Sequence, residues 1–165
     1  MVFHDAALGR LTGMTQPVAA RPAAELGTLT VAGTDERIPT LSQFLSEIGG
    51  RVPLVVEIKS HYSGDLTLTR RVVETVSGYD GPVALKSFDP GIVAALRELA
   101  PTIPRGIVAE TTQDDPAYAP MSDRVRRSLS NLLHFDETRP DFLSWRVDDL
   151  PCAPTHLARL LGGGR

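Results

Sequence analysis

From Val52 onward, short apolar runs alternate with amphipathic ones. Pro53-Leu54-Val55-Val56-Glu57-Ile58-Lys59 is apolar and β-branched, the pattern of a buried strand. Leu66, Val72, Val73 and Val76 then share one helical face, and Gly78 offers a stop. Pro82-Val83-Ala84-Leu85-Lys86-Ser87-Phe88 predicts the next strand, and Asp89-Pro90 follows as N-cap and first helical residue. Ile92, Val93, Leu96 and Leu99 supply the apolar stripe of that helix, which Pro101 ends. Gly106-Ile107-Val108-Ala109-Glu110 predicts a third strand, and Ser122 a cap for a helix facing inward through Val125, Leu129, Leu132 and Leu133. Phe142-Leu143-Ser144-Trp145-Arg146-Val147 predicts a fourth strand, and Thr155 a cap for a last short helix through Leu157, Leu160 and Leu161.

These are four βα units in series, which implies a parallel sheet with right-handed crossovers. A doubly wound open sheet and a (β/α) barrel both satisfy the pattern. Residues 1–37 differ: they are rich in Gly, Thr and Pro and read as a long loop with local turns. A helix follows, with Thr40 and Gln43 at capping-box spacing, a stripe of Leu41, Phe44, Leu45 and Ile48, and a Gly49-Gly50 stop. No convincing strand precedes that helix, so the series reads as one domain over 1–165, with a loop-rich segment (1–37) and a helix plus four βα units (38–161).

Composition narrows the function classes. The 165 residues are 42% hydrophobic and 22% charged, as in ordinary globular proteins, with a net charge of −3 and no basic stripe for nucleic acid. No apolar run approaches the roughly 20 residues of a membrane span. The first residues show no basic region leading into an apolar stretch, so no signal peptide is expected. The single cysteine, Cys152, excludes an internal disulfide and points to a reducing, cytoplasmic compartment. It carries no sign of activation.

Two features suggest chemistry. Glu57 and Lys59 alternate onto the same side of their strand, at the C-terminal end where parallel βα proteins place their sites. Charges on an apolar strand need a reason, because burying them unpaired is costly. A metal-binding carboxylate beside a phosphate-binding ammonium is one reason; a structural ion pair is the other, and strand geometry leaves both open. His4-Asp5 offers a histidine suited to general acid or base work.

In order along the chain stand Val2-Phe3-His4-Asp5 with Leu8, Arg10, Thr12 and Gly13; Glu25-Leu26 with Leu29; Ile38-Pro39-Thr40-Leu41; Glu57-Ile58-Lys59-Ser60; and Ser87-Phe88-Asp89-Pro90. This series resembles the glycerophosphodiester phosphodiesterase family over nearly the whole chain. The resemblance implies a (β/α)8 barrel of the phospholipase C-like type, here partial. It implies hydrolysis of a small-molecule glycerophosphodiester to sn-glycerol 3-phosphate and an alcohol. His4 would be one of two catalytic histidines, the acid that protonates the leaving alcohol. Glu57 would ligate a divalent cation, Ca²⁺ or Mg²⁺. Lys59 would face the phosphate, Ser87 and Phe88 would line the site, and Arg10 and Thr12 would hold the loop carrying His4. The same chemistry serves related barrels acting on sphingolipid or lysophospholipid.

The family's H-R-G motif, with the second histidine, and its E-x-D motif, with further metal ligands, belong before His4 and are not in this sequence. Strands one, two, seven and eight of the barrel are therefore expected to be absent, the site incomplete, and the chain inactive and marginally stable by itself. A non-catalytic half-barrel, serving as a binding or assembly module and closing as a homodimer through its sheet edges, is the competing expectation. The bland expectations are His61, His134 and His156 at the surface, Glu110 as a rim charge, Trp145 in the core, and Asp148-Asp149 as a cap or loop anchor.

Overall fold

The computed structural model describes residues 1–114, 118 and 121–161. The chain divides into two compact units, Met1–Val52 with Thr75–Gly81, and Pro53–Glu74 with Pro82–Arg165. Among the described residues no helix is long and apolar enough to cross a membrane.

The first unit is built of short elements. α1 (Gly9–Thr12) and α2 (Ala23–Leu26) are single turns flanking a 3-10 turn at Val18–Ala20, and α3 (Leu41–Ile48) is the one longer helix begun here. Isolated bridges join Ala7 to Pro17 and Thr30 to Arg37. Sequence periodicity predicts a loop over 1–37; the short helices escape it because a four-residue turn shows no repeat. Leu8, Leu26 and Ile38 form a small core against which Met1, Phe3, Met14, Val18, Leu29 and Val31 pack. The predicted capping box is present: the Thr40 hydroxyl accepts from Gln43 N, and the Gln43 side chain accepts from Thr40 N. Gly49 closes α3 in the left-handed conformation, at φ +56°.

The second unit carries a parallel sheet of β1 (Leu54–Glu57), β2 (Val83–Ser87), β3 (Arg105–Ala109) and β4 (Phe142–Trp145), in that spatial order. Each strand lies beside its successor and the order never reverses. A doubly wound sheet requires a reversal at its switch point, so this is the winding of a (β/α) barrel. The sequence also holds α4 (Thr67–Val76), α5 (Pro90–Leu99), α6 (Asp123–Ser130), α7 (Phe135–Thr138) and α8 (Ala153–Leu160). α5 begins as predicted, with Asp89 Oδ1 accepting from Gly91 N at 2.8 Å and Pro90 at its first position. It packs on β2 and β3.

Strand alternation sorts the sheet into two faces. Leu85, Ser87, Ile107 and Ala109 are buried on one, where Ile107 and Ala109 join Val93, Leu132 and Ala158 in a core completed by Phe135, Leu143 and Trp145. Trp145 is thus a packing residue. On the other face, Glu57, Lys86, Gly106 and Phe142 stand in one row, each in register with the next. This inner face is open, and Val55 of β1 is 58% exposed on it.

Three sequence-based expectations are corrected. His134 is buried, not a surface residue: it sits in the turn before α7, with its Nδ1 3.4 Å from Thr138 Oγ1. Leu133 is exposed, because α6 ends at Ser130 and Leu132 turns the chain at φ +53°. Cys152, not Thr155, caps α8; the Thr155 hydroxyl donates back to Cys152 O, and Leu157, Leu160 and Leu161 are exposed while Ala158 is buried.

Candidate active site

His4 belongs to the first unit, and Glu57, Lys59 and Phe88 to the second. The loop carrying His4 is pinned by its neighbours. Leu8 is completely buried, and Thr12 Oγ1 donates to Leu8 O at 2.9 Å. Arg10 binds Asp5 with a two-pronged contact, Nε to Oδ2 at 2.7 Å and Nη2 to Oδ1 at 2.9 Å. Asp5 Oδ1 also holds His4 Nδ1 at 2.7 Å. The Arg10 hydrogen bonds, and after them His4, hold the Asp5 carboxyl well below the usual carboxylate range. The carboxylate therefore stays ionised and fixes the proton of His4 on Nδ1, leaving Nε2 as the working nitrogen. The His4 side chain is 76% exposed, so that nitrogen is open to a ligand.

At the C-terminal end of β1 the structure brings Glu57 and Lys59 together. Lys59 Nζ stands 2.5 Å from Glu57 Oε1. Oε1 is buried and has no aligned hydrogen-bond donor. The contact is therefore an ion pair held by charge and not by an aligned hydrogen bond. The other oxygen, Oε2, lies 3.9 Å from the ammonium of Lys86, the β2 residue in register with Glu57. Lys86 in turn donates to Ser144 Oγ of β4 at 3.1 Å. Lys86 was missed as a site residue although its signal was legible: it is the lone charge in Val83–Ser87, the same argument that picks out Glu57.

The neighbouring strand ends are tied by hydrogen bonds. Ser87 is buried and donates to Ile58 O at 2.7 Å, a clamp between β1 and β2 rather than a wall of the site. Phe88 follows it, half-buried. Ser60 Oγ donates to Asp89 Oδ2 at 2.5 Å and accepts from Tyr62 N at 2.9 Å. Tyr62 adopts the left-handed φ of +54°, a costly conformation for an aromatic residue. Burial of its phenol, and then the carboxylates of Asp89, Glu110 and Glu57, push that group up to about 12. Beyond β3 and β4, Arg146 binds Asp114 at 2.7 Å and faces Glu110 at 3.8 Å. Asp149 accepts from Thr111 N, Thr112 N and Thr112 Oγ1. It is the loop anchor expected at Asp148-Asp149.

The divalent cation implied by the family resemblance takes about six or more oxygen ligands. Among the described residues no three Asp, Glu, His or Cys side chains converge. Both oxygens of Glu57 already face ammonium groups. Like unit charges about 4 Å apart repel by roughly 4 kcal/mol at an effective dielectric of 20, and a divalent ion doubles that. The described residues alone do not fit such an ion. The arrangement offers instead two cations and a hydroxyl beside one carboxylate.

The family model for the glycerophosphoryl diester phosphodiesterase family matches residues 1–137. No curated protein matches the sequence. Among solved structures, a phosphodiesterase from Oleispira antarctica in complex with the product sn-glycerol-3-phosphate superposes with a TM-score of 0.67 at 20% identity, covering 99% of this chain and 64% of that one. A glycerophosphodiester phosphodiesterase from Agrobacterium tumefaciens gives 0.62 at 20% identity, over 97% of this chain and 64% of that one. One from Parabacteroides distasonis gives 0.68 at 19% identity, over 97% and 60%. The chain thus spans less than two thirds of the length of these structures, and at such identities the likeness is one of fold.

Proposed function

This chain belongs to the glycerophosphoryl diester phosphodiesterase family, and from that premise we propose that it carries part of the machinery for hydrolysing glycerophosphodiesters to sn-glycerol 3-phosphate and an alcohol. The observation that supports this most directly is the His4-Asp5-Arg10 chain of hydrogen bonds, which orients one histidine and keeps its Nε2 available. In the reaction the bond from phosphorus to the alcohol oxygen breaks and a water oxygen is added. His4, protonated, gives its Nε2 proton to the departing oxygen. Lys59 neutralises a non-bridging phosphate oxygen, and Phe88 borders the organic part of the substrate. The proton of the attacking water needs a second base. The H-R-G motif that carries the second histidine by the family resemblance does not occur in this sequence.

Turnover by the 165-residue chain is therefore expected to fall far below the roughly 10 per second of a typical enzyme. Release of sn-glycerol 3-phosphate from glycerophosphocholine, followed with the wild type and with His4→Gln, tests the proposal. A slow release that His4→Gln abolishes supports it. A rate indifferent to His4 would overturn it, and full enzymatic turnover would overturn the impairment.

A second reading, a non-catalytic half-barrel that assembles with a copy of itself, is favoured by one observation. Among the described residues β1 and β4 each have a single neighbour in the sheet, and edge strands of this kind pair readily. Sedimentation equilibrium decides it: a dimer together with no His4-dependent hydrolysis would favour the module, a monomer would exclude it.

A further inference from the structure

The charge balance around Glu57 leads further. We propose that Glu57, Lys59, Lys86 and Ser144 form an anion centre that takes a phosphate group directly, without a divalent cation. The proposal deepens the reading of the chain as a phosphodiesterase fragment and rests on it for the identity of the anion.

One carboxylate is shared by two ammonium groups, at 2.5 Å and 3.9 Å. The set therefore carries a surplus positive charge. Lys86 contributes most to the argument, since its side chain is only 22% exposed and water cannot fully solvate it. A half-buried ammonium without a full counter-charge is a standing attraction for an anion. Ser144 adds a hydroxyl 3.1 Å from Lys86 Nζ, a group able to donate to a phosphate oxygen. The other carboxylates near this strand end have their own partners. Asp89 accepts from Ser60 and from Gly91 N, Glu110 faces Arg146, and Asp114 binds Arg146. None of them is within ion-pair distance of Lys59 or Lys86 among the described residues. Among the described residues Glu57 is thus the one carboxylate at ion-pair distance from either lysine. A phosphate monoester or diester brings several acceptor oxygens to two ammonium groups at once.

Glu57 separates the two possible uses of the centre. If it served a cation, removing its charge would weaken phosphate binding, because phosphate would be held through that ion. If the centre binds the anion directly, Glu57 competes with phosphate for the two lysines, and removing its charge strengthens binding. The signs are opposite.

The test is phosphate binding to the full 165-residue chain in EDTA, followed by ³¹P NMR and calorimetry with inorganic phosphate and with sn-glycerol 3-phosphate. The wild type is expected to bind both in EDTA, with no gain when Ca²⁺ or Mg²⁺ replaces the chelator. Glu57→Gln is expected to bind more tightly, and Lys86→Met about tenfold or more weakly. Lys86→Arg keeps the charge and is expected to retain binding, which separates loss of the ammonium from loss of fold; circular dichroism accompanies each variant. Binding that appears only with the divalent ion, weakening by Glu57→Gln, or a Lys86→Met variant that binds like the wild type would overturn the proposal. Phosphate binding with no His4-dependent hydrolysis would leave this centre standing and sink the catalytic reading.

Discussion

Lys86 Nζ donates to Ser144 Oγ at 3.1 Å, joining β2 to β4 across the whole width of β3. Gly106 of β3 stands in register beside Lys86, and the Phe142 ring packs against it. The bond therefore links a site residue to the register of the sheet. Ser144→Ala should lower stability by about 1–2 kcal/mol, the loss of a hydrogen bond to a charged donor. In a double-mutant cycle with Lys86→Met, a coupling of about 1 kcal/mol is expected by urea denaturation. Additive losses would show that the contact contributes nothing to folding.

Gly106 also fixes where the Phe142 ring lies. A Cβ built on Gly106 would stand 2.3 Å from Phe142 Cε2 and 2.4 Å from Cζ, far inside contact distance. Gly106→Ala should therefore force the ring aside and cost about 1–3 kcal/mol, the usual range for overpacking. Phe142→Leu in the same chain should recover part of the loss, since the clash is with the ring and not with the backbone. Thermal unfolding of the three variants measures this. An unaltered midpoint for Gly106→Ala would show that the ring has another place to go.

The four βα units were legible because each strand is a continuous apolar run with punctuation on both sides. Asp89-Pro90, Ser122 and the Thr40–Gln43 box mark helix starts by local hydrogen bonding, and local rules hold there. The choice between barrel and doubly wound sheet was not legible, because both have the same strand and helix periods; the unreversed order β1-β2-β3-β4 decides it. Glu57 and Lys59 were legible as a charged strand end. That Lys86 shares Glu57 depends on the register between β1 and β2, which no single strand reveals. His134 was misplaced for a related reason. A polar residue beside a helix start looks solvated until the elements packed over it are known.

The burial of His134 makes it a pH sensor of stability. Burial is the main influence on its imidazole and lowers its proton affinity below the ordinary 6.5, against a weaker opposing pull from Glu137. The unfolded chain thus binds the proton more readily than the folded one. Stability is full above pH 6.5 and falls as the pH drops below it. Among the described residues Nε2 of His134 has no hydrogen-bond partner, so the ring gains little from its polarity. His134→Leu should flatten the decline below pH 6.5, while leaving stability at pH 8 no lower than that of the wild type. Denaturant midpoints across that range provide the check. A slope identical in the two proteins would assign the acid sensitivity elsewhere.

Asp5 is the opposite case, a group whose folded proton affinity is lowered by partners and not by burial. Arg10 supplies the larger effect and His4 the smaller. Whatever stability the contact gives is present above the ordinary Asp value of 3.8 and is lost as the pH falls through the lower folded value. Carboxyl NMR should find Asp5 still ionised at pH 3, and Arg10→Gln should move its midpoint back toward 3.8. The functional consequence lies with His4. Asp5→Asn keeps the size of the side chain but can no longer hold the His4 proton on Nδ1 as a carboxylate does, so His4-dependent hydrolysis should fall by about tenfold or more. Phosphate binding should not change, because it rests on Lys59 and Lys86. A variant that lost both together would place Asp5 in the binding of phosphate and not in the orientation of His4.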